Sequence, residues 1–309
     1  KEVKISNIEF NGAISATTSL IGAVAGSIDY VGSTNKFYLT NCINKTNISG
    51  VTDVGGFIGS AGGMTHLELK NLVNLGSISV SQFRAGGIAG NMNAGKIGFS
   101  KNFGSVNGKT SGGIVGRAKA STISCCYNSG NVTGEMTGGI IGDMYTSNCV
   151  ISNCYNTGSI TSSGTNTCGG ILGVGENGLT GCSINNCYNI GIVSHIEASN
   201  PIFGGFVSNN AGSYSPSTNV NAGFGISNCY YLSDLLADDG KDNTTALTTE
   251  EMKNKEKFIG FQFESPEVYL FDNESSYLYP QLNNNLHSDG VYKDYNSVTD
   301  LSYIITDSV

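Results

Sequence analysis

Apolar and polar positions alternate in short runs through residues 5–231, and glycines interrupt them at regular intervals. No run is long enough for a helix of ordinary length, and the apolar positions recur with a period of 2 within each run, so the runs predict strands. Residues 151–173 show the unit most clearly, as Ile-Ser-Asn-Cys-Tyr-Asn-Thr-Gly-Ser-Ile-Thr-Ser-Ser-Gly-Thr-Asn-Thr-Cys-Gly-Gly-Ile-Leu-Gly. Aligning its copies on the second asparagine gives Asn44, Asn74, Asn102, Asn128, Asn156 and Asn189, spaced 30, 28, 26, 28 and 33 residues apart, with Phe10 in an atypical first copy.

The alignment generates further columns. Four residues after the asparagine stand Ile14, Ile48, Ile78, Val106, Val132, Ile160 and Val193. Five before it stand Ile5, Leu39, Leu69, Ile97, Ile123, Ile151 and Ile184, continued by Ile226. Two before it stand Ile8, Cys42, Leu72, Ser100, Cys126, Cys154 and Cys187, continued by Cys229. A second block, Gly-Gly-apolar-apolar-Gly, begins at Gly55, Gly86, Gly112, Gly138 and Gly169 and fades at Gly204. One such unit is too short to bury its own apolar face, so neighbouring units must stack.

Strands of this length, turned by Gly and Ser at a period of 26–33 residues, predict an all-β fold: a right-handed parallel β-helix of about seven coils. At roughly 4.8 Å per rung it would be about 35 Å long. The glycine pairs predict corners with positive φ or close backbone approach. The asparagine column is then structural, each amide bonding turn backbone groups and its neighbours above and below. The glycine block is not a phosphate loop, because no Lys-Ser/Thr follows and no helix is signalled.

The repeat stops after Tyr230. Asp234–Thr245 is polar, and its Asp238, Asp239 and Asp242 lack the spacing of an EF-hand, so a solvated loop is expected. Thr248 and Glu251 form a capping-box signature, flanked by Leu247 and Met252 as a hydrophobic staple. They predict a helix of eight to ten residues over Thr249–Lys257. Residues 232–282 are expected to cap the last coil, with Phe258, Phe261, Phe263, Tyr269 and Phe271 over its open end. The chain thus divides into stacked repeats (1–231), a cap (232–282) and a tail (283–309), in which Val291–Tyr295 and Leu301–Ile305 are candidate strands or the start of another module.

Composition narrows the functions available. Gly supplies 43 of 309 residues, but not at every third position and with only 4 Pro, which excludes collagen. The net charge of −8 is uneven: 11 basic and 9 acidic residues precede position 231, and 5 basic and 15 acidic follow. No basic face suited to nucleic acid or anionic lipid emerges, and no apolar run is long enough to span a membrane. The acidic cap discourages end-to-end association, and a monomer is expected. The chain opens at Lys1 without a signal-peptide pattern, as an excised or mature segment would.

The nine cysteines follow the repeat, not a zinc spacing. Cys126, Cys154, Cys187 and Cys229 share one column, Cys149 and Cys182 another, and inert buried thiols are the expectation. An exported protein that keeps free thiols would suit an anaerobic setting. Asp53 and Arg84 occupy the same place in adjacent coils, as do Arg117 and Asp143, and read as cross-strand pairs. Glu135, Glu176 and Glu197 fall at unrelated offsets. No catalytic residues, cofactor or metal site are therefore assigned. Tyr127, Tyr155, Tyr188 and Tyr230 follow the inward cysteines and point to the opposite side. They form either a strip that grips a glycan or protein, or a surface covered by the insertion at 194–203 or by the tail. The poorly repeating segments 194–203 and 209–224 are further candidates for a binding loop.

The Cys-Tyr-Asn-x-Gly-x-Ile/Val phrase, followed by Gly-Gly-Ile-x-Gly, resembles the GLUG repeat over roughly residues 5–282. Cys229-Tyr230-Tyr231-Leu232, Ala246-Leu247-Thr248, Glu251-Met252-Lys253, Phe258, Gly260-Phe261 and Tyr279-Pro280-Gln281-Leu282 resemble the way such arrays end. The resemblance implies a secreted or cell-surface bacterial protein, adhesin-like or part of an immunoglobulin A-specific metallo-endopeptidase. The peptidases' His-Glu-x-x-His zinc motif is absent around His66, His195 and His287, so that activity does not carry over. The expectation is a non-catalytic module binding glycans or host surface proteins. The alternatives are a polysaccharide lyase or hydrolase, or a non-catalytic segment of a larger peptidase.

Overall fold

The computed structural model describes residues 2–28, 35–62, 66–163, 167–175, 179–195, 202–204, 224–233, 244–263, 269–270 and 279–282. The polar loop with Asp238, Asp239 and Asp242, most of the segments 194–203 and 209–224, Glu176, Glu197, Phe271 and the tail 283–309 with its two candidate strands lie outside them.

The chain is a parallel β-solenoid. One face stacks seven short strands, from Ala13–Ser15 through Asn47–Gly50, Ile78–Val80, Val106–Asn107, Val132–Gly134 and Ile160–Ser162 to Val193–His195. A second face stacks six, from Asp53–Gly55 to Ile202–Gly204. The remaining coil strands form one long wrapped sheet, every coil-to-coil pairing is parallel, and Tyr269–Leu270 and Gln281–Leu282 make a separate two-stranded antiparallel sheet.

Register follows the sequence columns residue for residue. Ile14, Ile48, Ile78, Val106, Val132, Ile160 and Val193 are successive partners. So are Ile5, Leu39, Leu69, Ile97, Ile123, Ile151, Ile184 and Ile226. The inward rows merge into one continuous core, with a smaller core behind the seven-stranded face. Burial on this scale, about 25 cal/mol per Å² of apolar surface, is what no single coil could achieve alone.

The asparagine column runs down the interior. Phe10 pairs with Asn44, and Asn44 through Asn189 pair in order. Five consecutive Nδ2–H···Oδ1 bonds of 2.7–2.8 Å join the six side chains. The second Nδ2 hydrogen of each goes to the carbonyl two residues on, as from Asn128 to Gly130 at 2.9 Å. From Asn44 to Asn156 each amide thus spends both donors and its acceptor inside the protein, and Asn189 accepts from Asn156 and the Gly191 amide and donates to the Gly191 carbonyl, which makes burial tolerable.

That column also explains the glycine pairs. A Cβ on Gly113 would lie 2.1 Å from the Gly139 oxygen and 2.4 Å from Asn128 Cγ, and Gly87 and Gly139 are confined in the same way by Asn102 and Asn156. Of the two properties expected of these corners, close approach is the operative one; their φ values lie outside the left-handed region.

Positive φ falls instead on a column the sequence reading passed over, three residues before the ladder asparagine. Asn7, Asn41, Asn71, Phe99, Cys125, Asn153, Asn186 and Asn228 all have φ of 52–58°. Asparagine tolerates this conformation better than other residues with a side chain. A second amide contact forms there, from Asn71 to Asn41 and from Asn228 to Asn186, both at 3.0 Å. The recurring Asn-Cys-x-Asn spelling was the available signal. Phe99 sits in this strained position with its side chain partly in water, 39% exposed. Phe99→Asn should therefore stabilise the protein by about 1 kcal/mol, read as a raised urea midpoint.

After Tyr230–Leu232, the strand Thr245–Leu247 adds one more parallel rung to the long sheet. Thr248 then caps a helix with the expected box: its Oγ1 accepts from the Glu251 amide and Glu251 accepts from the Thr248 amide. Leu247 and Met252 are both buried. The helix is shorter than predicted, Thr249–Met252, followed by a 3₁₀ turn over Lys255–Lys257. Asn254 is extended and caps that second turn through the Glu256 amide, and this breaks the helix.

Candidate functional site

The four tyrosines do form a continuous column. Tyr127, Tyr155, Tyr188 and Tyr230 are successive register partners, and the ring centroids of the first three lie 4.5 and 4.8 Å apart. As an exposed binding strip the column is corrected: all four are buried, at 8, 2, 0 and 4% exposure. The C-terminal segment lies along them. Phe258 and Phe261 pack against Tyr188 and Tyr230 at centroid distances of 5.0–6.4 Å. Tyr269 stacks on Phe261 at 4.3 Å and donates to the Asn186 carbonyl at 2.8 Å. The Tyr188 hydroxyl donates to the Pro280 carbonyl, and that of Tyr230 to Ile259 at 3.3 Å.

The placement of the cap is corrected with it. Phe258, Phe261 and Tyr269 cover the tyrosine flank of the solenoid, with Phe263 packed against them, rather than its open end. Thr245–Leu247, with Ala246 against the main core, lies over the last coil instead.

All nine cysteines are free thiols. In their main column, Cys42, Cys126, Cys154, Cys187 and Cys229 each donate to the carbonyl two residues back at 3.2 Å. Ser100 does the same through its hydroxyl at 2.9 Å. The column therefore serves the left-handed bend beside it. Burial pushes the thiols of Cys126, Cys154 and Cys187 well above the ordinary range, which opposes nucleophilic chemistry.

Charge inside the array is concentrated at the glycine corner. Arg84 Nη1 contacts Asp53 Oδ1 and Oδ2 at 3.0 and 3.2 Å, and Arg117 Nε contacts Asp143 Oδ2 at 2.6 Å. Each pair joins register partners on adjacent rungs. Both carboxylates are more than nine-tenths buried, so these cross-strand pairs lie inside the protein. On the outer side, the Arg117 guanidinium lies 4.3 Å and Lys119 Nζ 4.7 Å from the Tyr145 ring centroid.

Burial outweighs the arginines and raises both aspartates above the ordinary carboxylate range. A carboxyl group whose folded pKa exceeds its unfolded value holds more protons when folded. Its contribution to stability is therefore fully present below the unfolded pKa and lost as pH rises through the folded one. Asp143→Asn should remove one such component, so its stability should fall less than the wild type's as pH rises from about 4. Urea midpoints at stepped pH read the difference in slope.

Among the described residues, no three His, Cys, Asp or Glu side chains are close enough to hold a metal ion, and no helix is long and apolar enough to cross a membrane. His66 is exposed. Taken together, stacked coils, interior amide ladder and laterally braced flank define a repeat protein of the parallel β-solenoid class. No family model, curated protein or solved structure matches the chain.

Proposed function

We propose that this chain is a non-catalytic, adhesin-like module of the GLUG-repeat kind, working at a bacterial cell surface or after secretion. It presents a rigid face to glycans or host surface proteins. The observation that carries this reading is the disposition of charge in the coils: Asp53 and Asp143 are each turned onto an arginine of the adjacent rung instead of converging on a cleft. General acid–base cleavage of a polysaccharide needs carboxyl groups arranged about one bond. The interior amide ladder supports the same reading, since it serves only to hold successive coils in register.

With the tyrosines covered, the presenting surface is the seven-stranded face. Its outward positions carry small hydroxyls and amides, among them Ser49, Ser79, Asn107, Thr133 and Thr161. Contacts along the axis order them, from Ser49 to Ser15 and between Thr161 and Ser194, both at 3.1 Å. A flat, hydrogen-bonding surface with a fixed repeat suits an extended glycan or a protein surface.

The test is a glycan array alongside binding to host cell-surface extracts, with Ser79→Lys/Thr133→Lys as the face variant. Binding by the wild type and its loss in the variant are expected. Binding that survives the variant moves the site to another face, and no binding in either arm leaves a spacer. Release of new sugar ends from any arrayed polysaccharide would overturn the non-catalytic reading.

A further inference from the structure

Two arginines meet at one glycine corner. Arg84 points outward from the strand Arg84–Gly86 and Arg117 outward from Val115–Ser124, because their neighbours Ala85 and Ala118 are core residues. A Cβ on Gly116 would lie 2.9 Å from the Ala85 oxygen. The two backbones therefore touch, and the arginines beside the contact share one concave corner. Asp53 and Asp143 flank them on the outer rungs, as register partners of Arg84 and Arg117. Each carboxylate is acted on electrostatically by both arginines, as a single cluster requires.

The cluster leaves donors over. Arg84 spends only Nη1 on Asp53 and Arg117 only Nε on Asp143, and their other nitrogens make no hydrogen bond among the described residues. The arginine side chains stay 22 and 20% exposed while the carboxylates are buried, so the charge presented to solvent is positive. Lys119, two residues beyond Arg117 on the same face, has no carboxylate partner among the described residues, and both cations lie on the Tyr145 ring. Three cations thus stand against two carboxylates, in a chain of net charge −8. Behind them, Asn91 Oδ1 and Asp143 Oδ1 are buried and accept no hydrogen bond among the described residues. Asn91 and Asp143 are the register partners of Arg117 on its two sides. Phe83, 48% exposed, stands beside Arg84 with its ring centroid 6.0 Å from the guanidinium carbon.

We propose that this corner binds a monoanionic group on a glycan, a uronate carboxylate or a sulfate ester. The unused guanidinium edges match such a group's oxygens, Lys119 adds a point charge, and the surplus of one positive charge suits one such group. Asp53 and Asp143 are positioning residues that hold each guanidinium by one edge and turn the rest outward. Tyr145 and Phe83 offer apolar faces to the C–H side of a sugar ring. The unused oxygens of Asn91 and Asp143 take a sugar hydroxyl or a bridging water. The site joins the six-stranded face to the long sheet, so it goes beyond the reading of the seven-stranded face and does not rest on it.

Titration calorimetry of the full chain tests the proposal with three probes: a uronate oligosaccharide, a sulfated neutral oligosaccharide, and the uncharged parent of the latter. The variants are Lys119→Glu, Arg117→Gln/Asp143→Asn, and Lys96→Glu as an exposed lysine elsewhere on the same sheet. The double variant removes an ion pair as a unit and leaves no charge buried alone, and urea midpoints check that each variant folds. Binding of either anionic probe, or both, without the uncharged one is expected, and which of them binds identifies the group. Lys119→Glu and the double variant should each weaken it by about fivefold or more, and Lys96→Glu by less than about twofold. Ser79→Lys/Thr133→Lys should bind undiminished, so failure of this site and failure of the seven-stranded face are read separately. The proposal is overturned if neither anionic probe binds at millimolar concentration or if the uncharged one binds equally well. It is also overturned if Lys96→Glu costs as much as Lys119→Glu, or if the Ser79→Lys/Thr133→Lys variant loses the binding.

Discussion

Gly113→Ala is expected to lose about 3 kcal/mol or more of stability, at or above the upper end of ordinary overpacking. The added methyl would sit 2.1 Å from the Gly139 carbonyl oxygen, and 2.4 and 2.7 Å from Cγ and Cβ of Asn128. None of these is the free end of a flexible side chain. One belongs to the backbone of the next coil, and the others to an amide fixed from above and below. Relief would require moving a whole rung. Gly98→Ala is the control, since its nearest neighbours are Ser124 atoms at 3.8 Å, and it should change stability by no more than about 0.5 kcal/mol. Urea unfolding followed by circular dichroism distinguishes them. Equal midpoints for the two variants would mean the corner is looser than described.

Asn128→Ala should be of similar size, about 3–5 kcal/mol, by a different route. No atom is forced into contact; three buried groups lose their partners instead. Asn102 Nδ2 loses an acceptor, and the Gly130 carbonyl and Asn156 Oδ1 each lose a donor. Leaving each such group unmatched costs about 1–3 kcal/mol. Asn128→Asp should do no better, because a carboxylate still accepts from Asn102 but donates to neither neighbour. Asn131, three residues on, is exposed and only receives the Ser159 amide at 3.4 Å, so Asn131→Ala should stay within about 0.5 kcal/mol. Near-neutral behaviour of Asn128→Ala would show that water enters the ladder.

Because the ladder and the glycine pair occupy one space, the two variants should not add. Both act on Asn128, and residues sharing a partner couple by about 0.5–3 kcal/mol. In Gly113→Ala/Asn128→Ala the shortened side chain removes the 2.4 Å contact with Cγ, leaving the backbone clash with Gly139 and the 2.7 Å contact with the Cβ of residue 128. The double variant should therefore lose less stability than the sum of the two single losses.

The thiols and charged pairs show how far residue identity alone carries. Cys126, Cys154 and Cys187 were expected to be inert, and they are buried, free and raised in pKa. Their bonding to the carbonyl two residues back was not legible, because it depends on the left-handed bend at the preceding residue. Likewise the Asp53–Arg84 and Arg117–Asp143 pairings were readable from offsets, but their burial was not. It arises where the glycine corner folds the two strands of a coil against each other, so that a position outward on either strand faces its neighbour instead of water.

What the sequence determined by itself was the stacking: which residues share a rung, which columns face inward, and where asparagine and glycine must recur. A parallel solenoid makes this possible because its neighbour relation is fixed. Each residue meets its equivalent one period away, so a column in the alignment is a column in space. The tertiary structure alone decided what lies over the tyrosines. Alternation says which side of a strand Tyr155 and Tyr188 occupy, but not whether another part of the chain covers that side. The contacts that cover it, from Pro280 to Tyr188 and from Tyr269 to Asn186, span 92 and 83 residues. They join a non-repeating segment to a repeating one, and no period relates the two.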